Sequence, residues 1–373
     1  MFLLNFIPWY LGNKSKLLHI IEKEINSISK QWDTICDLFA WSGVIWDYFK
    51  DNYNIISNDI EYYSYIINEV NINFDKKELL KLNLNDIVKN LKNEIDNTWL
   101  KQEIWDITEY LNKLSKRKKK KENFFYSNFV WTYFSVNQWL EVDLYRLNIE
   151  KNYKWFTKNY LIALWIYWLY NVVNSVWNHF AQPRWIKDKN LNIIKNKFQK
   201  SFYDVVIKKH NEILKNIDWI NSFSSKNISE NLDYKDFLKK WHKINTFYID
   251  TPYTIDHYSR FYHILNTFAK YDYPKVEWIW LYREDRFQSP FCLKTKVEEE
   301  FEYMISTVFK KHNANIVLSY SDSYRSLLHK DKILEIFKRY YKEVKLEEIK
   351  YNYSWLWQGS GNNCNELLFT AKI

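Results

Sequence analysis

The sequence of 373 residues has little cysteine, little glycine and no long apolar run. Its three cysteines, Cys36, Cys292 and Cys364, are widely spaced and form no CxxC pair. This spacing argues against a disulfide framework or a zinc site and fits a reducing cytoplasm. The longest apolar run, Leu161 to Tyr170, is too short to span a bilayer and predicts a buried helix. Because no basic segment precedes the short apolar run at the N-terminus, a signal peptide is not expected, and we expect a cytoplasmic protein without a membrane partner.

The shortage of glycine is matched by an excess of tryptophan, with 4 glycines and 19 tryptophans. A typical chain of this length has roughly 26 glycines, and glycine and tryptophan together come close to that number. Tryptophan also lies where a turn needs backbone freedom, as in Ala40-Trp41-Ser42-Gly43. We hypothesise that many of these positions are glycine in the natural protein, whose source would read UGA as glycine. The alternative is an unusually tryptophan-rich protein, and peptide mass spectrometry of the native protein would distinguish the two.

The balance of charge is basic, with 54 Lys and Arg against 45 Asp and Glu and a net charge of +9 at pH 7. Such a surplus favours a polyanionic partner such as nucleic acid, although many basic proteins bind none. A basic run from Ser115 to Lys121 includes Lys118 and Lys119. It is either a solvated loop or a contact for phosphates.

One stretch has the pattern of a central strand that opens into a site. The apolar run that begins at Phe247 ends abruptly in Asp250-Thr251-Pro252-Tyr253. A carboxylate there can accept hydrogen bonds from an amino group, and the adjacent ring offers a stacking face for a base. The stretch is weak evidence alone, and its value depends on a cofactor pocket elsewhere in the chain.

A second stretch indicates such a pocket. A strand from Thr34 to Asp37 leads into the turn Phe39-Ala40-Trp41-Ser42-Gly43 and then into a helix. With glycine at position 41, a ligand could lie against bare backbone at the start of that helix. Asp59 follows the next strand, about 20 residues beyond the first acid, where an acid is placed to bind ribose hydroxyls. The alternative is an ordinary βαβ unit without a cofactor.

The N-terminal segment from Pro8 to Leu18 contains Tyr10, Gly12 and Lys14 and runs into a helix with apolar residues at helical spacing. It is either a basic helix start or a loop whose lysine closes over a ligand that bears a carboxylate. At the other end, the segments 341–353 and 366–373 predict two antiparallel strands at a sheet edge.

Residues from about 76 to 240 are predicted to be mostly helical, with a surface rich in lysine and asparagine. Asn178 and Arg184 lie in a polar loop, and their side-chain types pair bidentately with base edges. Arg260 and Arg283 lie among aromatic residues beyond the Asp-Thr-Pro-Tyr stretch. Because no glycine- or serine-rich linker marks a border, the region is predicted to be an insertion rather than a free-standing module.

The order of these parts resembles the D12 class of adenine-N6-specific DNA methyltransferases, the group that includes Dam-like and many restriction-modification enzymes. The resemblance covers most of the chain. Pro8 to Leu18 matches their N-terminal cofactor motif, Asp37 to Gly43 matches Phe-x-Gly-x-Gly, and Asp250 to Tyr253 matches Asp-Pro-Pro-Tyr. Family glycines fall on Trp41 and Trp46 here, which independently favours the recoding hypothesis.

The resemblance implies an α/β, Rossmann-like fold for S-adenosylmethionine-dependent methyl transfer, with a mixed sheet and an antiparallel C-terminal edge hairpin. It implies a catalytic domain of residues 1–75 and 241–373. Residues 76–240 would then form a largely helical insertion, as in the alpha group of the class, where the insertion reads the target sequence.

The resemblance also implies roles for individual residues. The residues expected to line the cofactor, from its methionine end to its ribose, are Tyr10, Gly12, Lys14, Asp37, Phe39, Ala40, Trp41, Ser42, Gly43 and Asp59. A literal indole at Trp41 would fill that site. The leaving group is activated by the sulfonium, so no metal is expected.

In the catalytic motif, Asp250 is expected to accept a hydrogen bond from the N6 amino group of a flipped adenine, with the carbonyl of Thr251 as second acceptor. Tyr253 would stack on the base. Thr251 replaces the family's first proline but keeps its carbonyl, and Pro252 still rigidifies the turn. The substrate implied is duplex DNA, and a cognate restriction endonuclease is a candidate partner.

Three alternatives stay open. The same acid-x-Pro-Tyr geometry suits a methyltransferase that acts on amino groups of RNA bases. If Trp41 is genuine, the chain could be a catalytically inactive nucleic-acid binder. An unrelated Rossmann-like dehydrogenase would leave the Asp-Thr-Pro-Tyr stretch unexplained.

Overall fold

The computed structural model of the chain describes residues 4–7, 12, 14–96, 124–129, 132–175, 179–184, 188–200, 202–220, 227–277, 280–351 and 364–373. The chain divides into two compact units. The first, which we call the sheet unit, comprises Met1–Phe74, Trp219–Arg260 and Phe287–Ile373. The second, the helical unit, comprises Asp75–Asp218 and Phe261–Arg286.

The sheet unit is built on a seven-stranded mixed sheet with the strand order β3-β2-β1-β4-β7-β9-β8. The first five strands in this order are parallel, whereas β9 runs antiparallel to both β7 and β8. The strands are β1 (Thr34–Asp37), β2 (Asn54–Asn58), β3 (Ile228–Glu230), β4 (Thr246–Asp250), β7 (Asn315–Ser321), β8 (Glu343–Tyr351) and β9 (Cys364–Lys372). The predicted α/β fold with an antiparallel C-terminal hairpin is confirmed.

Helices cover this sheet, and their apolar sides form two buried clusters. The helices of the sheet unit are α1 (Leu18–Ile28), α2 (Val44–Phe49), α3 (Tyr62–Ile72), α11 (Tyr234–Lys239), α14 (Val297–Thr307) and α15 (Lys330–Tyr340). A short helix, α12 (Tyr258–Phe261), spans the chain position that divides the two units.

Strand β4 shows why the core has two sides. Successive side chains of a strand point to opposite faces, so Phe247 and Ile249 join one cluster while Tyr248 joins the other. The first cluster includes Phe301 of α14 and Phe337 of α15. Each large apolar side chain buried in this way contributes about 1.5–3 kcal/mol, and a parallel strand covered on both faces must be apolar along its length.

The parallel strands end together at one edge of the sheet. The last residues of β1, β2 and β4 are Asp37, Asn58 and Asp250, and all three are buried. Strand β4 pairs with β1 on one side and with β7 on the other, so it lies at the centre of the sheet. Open α/β sheets bind ligands outside the carboxyl ends of such strands.

The helical unit packs around one apolar helix. Its helices are α4 (Lys76–Lys81), α5 (Leu84–Asp96), α6 (Phe124–Phe129), α7 (Val136–Asn152), α8 (Trp155–Val172), α9 (Leu191–Phe198), α10 (Phe202–Lys215) and α13 (His263–Lys270), with a short ribbon of β5 (Val276–Glu277) and β6 (Tyr282–Arg283). The apolar run from Leu161 to Tyr170 lies within α8 and is almost entirely buried, as predicted. None of the helices in the described ranges is both long and apolar enough to cross a membrane.

The compact units differ from the predicted domain boundaries in two places. Strand β3 lies inside the predicted insertion, but it pairs with β2 through Ile56 and Ile228 and so belongs to the sheet unit. Asn227 reinforces this pairing, since its side chain accepts from the amide of Ile55. Residues Phe261–Arg286, which the sequence placed in the catalytic domain, belong to the helical unit. That the helical unit reads the target sequence stays a prediction.

Three tryptophans have backbone angles that suit glycine. Trp32, Trp41 and Trp155 have φ values of 70°, 47° and 52°. A bulky L-residue rarely adopts a positive φ, because its Cβ crowds the following carbonyl. Trp32 and Trp155 are exposed, so no packing of their rings compensates for this strain. These angles fit the recoding hypothesis, which stays a prediction, and positive φ values also occur at Asn5, Tyr271, Tyr273, Leu281 and Asn313.

Replacing Trp155 by glycine is therefore expected to raise the free energy of unfolding by about 0.5 to 1 kcal/mol, because it removes strain without removing a buried side chain. Urea unfolding of both proteins would measure the difference. Trp219→Gly is the matched control, since Trp219 is also exposed but has no positive φ. An equal loss of stability in both variants would contradict the strain at Trp155.

Candidate active site

A cavity opens at the carboxyl ends of β1 and β4. Its lining brings together residues from the N-terminal segment, the turn after β1 and the end of β4. The lining residues include Gly12, Lys14, Asp37, Phe39, Ala40, Trp41, Ser42, Tyr248, Asp250, Thr251, Tyr253 and Tyr258. Most of the residues that the sequence predicted for the cofactor and for catalysis thus line one space.

Asp250 and Lys14 form an ion pair in this cavity. The Lys14 Nζ lies 3.3 Å from Oδ1 of Asp250 and 2.8 Å from Oε1 of Glu366. Burial raises the pKa of Asp250 to about 7, against the opposing effect of Lys14. Burial lowers the pKa of Lys14, but Asp250 and Glu366 outweigh it and raise that pKa well above its ordinary value. Lys14 is therefore a permanent cation beside a carboxyl group that titrates near neutral pH.

The acid at the end of β1 organises the turn that follows it. Oδ1 of Asp37 accepts a hydrogen bond of 3.0 Å from the amide of Phe39, and Oδ2 accepts one from the indole of Trp46. Burial raises the pKa of Asp37 well above its ordinary value. The turn ends at Gly43, whose φ is 72°, and a Cβ there would lie 2.6 Å from Oδ1 of Asn68. Glycine is therefore required at position 43 on two counts.

Asp59 lies at a second cavity. Its two oxygens each accept a hydrogen bond of 2.8 Å, from the amides of Trp41 and Glu61. Burial raises the pKa of Asp59 to about 6. The wall of this cavity is formed by residues that include Phe39, Trp41, Ile60, Pro252, Tyr258 and Phe287.

The indole of Trp41 lines both cavities. Its Nε1 donates a hydrogen bond of 2.8 Å to the backbone carbonyl of Asp250, and its ring centroid lies 4.5 Å from that of Tyr258. Asp37 and Lys14 belong to the first cavity and Asp59 to the second. The side chain at position 41 therefore stands between the two groups of residues that the resemblance assigns to a single cofactor.

Of the remaining catalytic-motif residues, Thr251 and Tyr253 line the first cavity and Pro252 lines the second. Tyr253 is buried, and Lys14 Nζ lies 5.7 Å from its ring centroid. The hydroxyl groups of Thr251 and Tyr248 are buried and have no hydrogen-bond partner among the residues that the structure describes. Buried polar groups are normally paired, so both hydroxyls are suited to meet a ligand.

The residues predicted to contact nucleic acid have different surroundings. Tyr10, of the cofactor set, and Lys118, Lys119 and Asn178 lie outside the described residues. Arg260 is partly exposed and forms an ion pair of 2.9 Å with Asp256. DNA contact by Arg260 stays a prediction.

The other two predicted DNA contacts lie in the helical unit. Arg184 is half-buried and donates to the carbonyl of Ser175, and its contact with bases stays a prediction. The side chain of Arg283 is buried, and its guanidinium is paired with Asp272 at 2.6 Å and with Asp285 at 2.9 Å. These ion pairs hold Arg283 in the β5–β6 ribbon, and its contact with DNA stays a prediction.

Three residues of the site escaped the sequence analysis. Glu366 sits in a strand recognised only by its apolar pattern, and nothing nearby in sequence suggests an ionic partner. Tyr248 reads as an ordinary apolar position of β4. Tyr258 is one of several aromatic residues beyond the Asp-Thr-Pro-Tyr stretch, and nothing in the sequence sets it apart, although it lines both cavities. Among the described residues no cluster of metal-ligating side chains is found, and the expectation that no metal is needed stays a prediction.

Comparison with known proteins agrees with this arrangement. A family described as D12 class N6 adenine-specific DNA methyltransferase matches residues 10–351. Modification methylase LlaI of Lactococcus lactis subsp. lactis is 27% identical over 342 residues, which are 89% of this chain and 48% of that protein. Type II methyltransferase M.NlaIII of Neisseria lactamica is 26% identical, over 89% of this chain and 88% of its own length. Type II methyltransferase M.FokI of Planomicrobium okeanokoites is 24% identical, over 92% of this chain and 49% of its own. The chain thus spans about half the length of the LlaI and M.FokI proteins and most of M.NlaIII.

The buried state of Asp59 predicts how stability depends on pH. Its pKa rises on folding from 3.8 to about 6, so the unfolded chain loses this proton at lower pH than the folded chain. The contribution of Asp59 to stability is therefore lost as pH rises from about 4 to about 6, by about 3 kcal/mol in total. Asp59→Asn should remove that part of the pH dependence. Urea unfolding of both proteins at pH 4 and pH 7 would measure it, and parallel pH curves would contradict the assignment.

Proposed function

Because the chain belongs to the D12 class of N6 adenine-specific DNA methyltransferases, we propose that it transfers a methyl group from S-adenosylmethionine to the N6 amino group of an adenine in duplex DNA. The observation that carries the proposal is the meeting of Lys14, Asp250 and Tyr253 around one cavity at the carboxyl end of β4. An acceptor, a cation and an aromatic ring are the groups that this chemistry needs.

The residues present fit the cofactor that the family implies. S-adenosylmethionine supplies a methyl group already activated by a sulfonium. The unpartnered hydroxyls of Tyr248 and Thr251 and the ammonium of Lys14 would hold the amino-acid end, and Asp59 would hold the ribose. Phe39 lines both cavities and would lie against the apolar parts of the cofactor.

The indole of Trp41 is the exception, because it stands between these two groups of residues. We infer that residue 41 is glycine in the active protein. The positive φ at this position suits glycine, and the amide of residue 41 already donates to Asp59, which a glycine would preserve. Without an indole the two cavities would form one continuous space.

The chain's own residues then account for base capture and reactivity. The N6 lone pair of adenine is conjugated with the ring, so the amine is a poor nucleophile. Asp250 and the carbonyl of Thr251 would accept hydrogen bonds from its two N–H groups, orient the lone pair and stabilise the positive charge that grows on nitrogen. The base must leave the duplex to reach this site, and stacking on Tyr253 would compensate for lost base stacking.

Several features favour duplex DNA over the alternatives. The family description names DNA as substrate, and the net charge of +9 suits phosphate contacts. The relatives named as Type II methyltransferases make a cognate restriction endonuclease the partner to look for. Because DNA is the substrate, the cytoplasm is the expected location. The helical unit is the candidate for reading the target sequence.

The first test concerns residue 41. Trp41→Gly is expected to bind S-adenosylmethionine, whereas the chain with tryptophan binds it at least about tenfold more weakly, since the indole divides the site. Isothermal titration calorimetry would measure both affinities. Trp32→Gly is the matched control, because it relieves a similar positive φ at an exposed residue that lines neither cavity. Equal affinity with and without the indole would refute the role of position 41.

The second test concerns the reaction. The Trp41→Gly chain is expected to transfer labelled methyl to duplex DNA and to yield N6-methyladenine on nucleoside analysis. Adding Asp250→Ala should reduce transfer about a hundredfold or more while cofactor binding stays nearly intact. Asp331→Ala, at an exposed acid of α15, is the matched control. Label on structured RNA but not on DNA would favour the RNA alternative. Unchanged turnover in the Asp250→Ala variant would contradict the role assigned to Asp250.

A further inference from the structure

Glu366 is a fully buried acid in the last strand of the sheet. It pairs with Ser321 in the register between β9 and β7, two residues along from Ser319. A buried carboxylate is stable only when it is paired and hydrogen-bonded. Glu366 has both kinds of partner, since it receives a hydrogen bond from the hydroxyl of Ser319 and an ion pair from Lys14.

Lys14 is shared between two carboxylates. Its Nζ lies closer to Glu366, at 2.8 Å, than to Asp250, at 3.3 Å. The side chains of Lys14, Asp250 and Glu366 are 5%, 11% and 0% exposed, so water screens their charges little. Two acids and one base in a dry site leave a surplus negative charge when all three are ionised, and this surplus acts on the most exposed member, Asp250.

We propose that Glu366 is a positioning residue for the methyl transfer: it anchors Lys14 beside Asp250, and its charge is coupled to that of Asp250 through the lysine that they share. The role in transfer rests on the proposed function, whereas the charge coupling does not. Glu366 lies in the described part of β9, and no reacting group needs to touch it. It acts only through Lys14 and through its field.

Several groups face Asp250 and together determine its protonation. They are Lys14 from the N-terminal segment, Asp37 at the end of β1, Tyr248 in β4, Tyr253 after β4 and Glu366 in β9. Burial has the largest effect and raises the pKa of Asp250. Lys14 lowers this pKa and Glu366 raises it, and the resulting pKa is about 7. Lys14 and Glu366 thus act on Asp250 in opposite directions.

Because Lys14 and Glu366 shift the pKa of Asp250 in opposite directions, their variants should shift its titration in opposite directions, which a purely structural role of Glu366 would not produce. Asp250 accepts hydrogen bonds from an amino group as the carboxylate, so transfer should rise with pH through its pKa. Glu366→Gln removes the opposing charge and leaves Lys14 to pair with Asp250 alone. The midpoint of the Asp250 titration should therefore fall by about one pH unit. Lys14→Gln should move the midpoint in the opposite direction.

The experiment measures the midpoint directly. The full chain is labelled with ¹³C at aspartate carboxyl carbons, and the signal absent from Asp250→Asn identifies Asp250. Titration by NMR then compares the unaltered chain with Glu366→Gln, with Lys14→Gln and with a matched control, Glu348→Gln. Glu348 lies on neighbouring β8, at a partly exposed position paired with Lys330, and its loss removes the same charge from the surface. Near-ultraviolet circular dichroism checks that each variant is folded.

The expected result is a midpoint lowered in Glu366→Gln, raised in Lys14→Gln and unchanged in Glu348→Gln. The pH profile of methyl transfer, measured in the Trp41→Gly chain, should move by the same amount when Glu366→Gln is added. An unmoved midpoint in folded Glu366→Gln overturns the proposal, and if that variant does not fold, an unmoved midpoint in Lys14→Gln does so. A moved midpoint in a chain that transfers no methyl in any form overturns the proposed function and leaves only the charge coupling.

Discussion

The sharing of Lys14 between Asp250 and Glu366 is the interaction on which the site depends. It joins the N-terminal segment to the last strand across the end of the central strand β4. A buried ion pair stabilises a protein little, because desolvation offsets most of the attraction, but losing one partner leaves an uncompensated charge. The triad therefore constrains where these three segments lie more than it adds to stability. It also keeps a cation permanently beside an acid that titrates near neutral pH.

The antiparallel end of the sheet follows from the same constraint. Strand β9 lies between β7 and β8, and its direction opposes that of the parallel strands. Residues near the start of β9 therefore lie at the edge where β1 and β4 end. Because Glu366 is near this start, it reaches Lys14 at the edge where the carboxyl ends of β1 and β4 carry Asp37 and Asp250. A parallel last strand would place its first residues at the opposite edge.

The parts of the site that could be predicted are those with a local signature. An apolar run that ends in Asp250-Thr251-Pro252-Tyr253, or one that ends in Asp37 before a glycine-bearing turn, shows both its strand and its site within a few residues. Glu366 carries no such signature, because its partner is distant in sequence and the pairing arises only when the sheet is assembled. The ion pairs of Arg283 with Asp272 and Asp285 in the helical unit likewise form only in the folded chain. Strand β3, which lies within the predicted insertion but belongs to the sheet unit, has only three residues, too few to show a recognisable period in the sequence.

At position 41 both the sequence motif and the backbone conformation favour glycine. The sequence pattern pointed to glycine there from the surrounding motif alone, whereas Trp32 and Trp155 lie in no recognisable motif. All three nevertheless have positive φ, a property that depends on the path of the backbone and not on the side chain. Two exposed positions without any functional motif therefore share with position 41 a backbone conformation that glycine adopts most readily. A substitution specific to that turn would explain only Trp41, whereas a replacement of glycine throughout the chain explains all three and also the shortage of glycine in the composition.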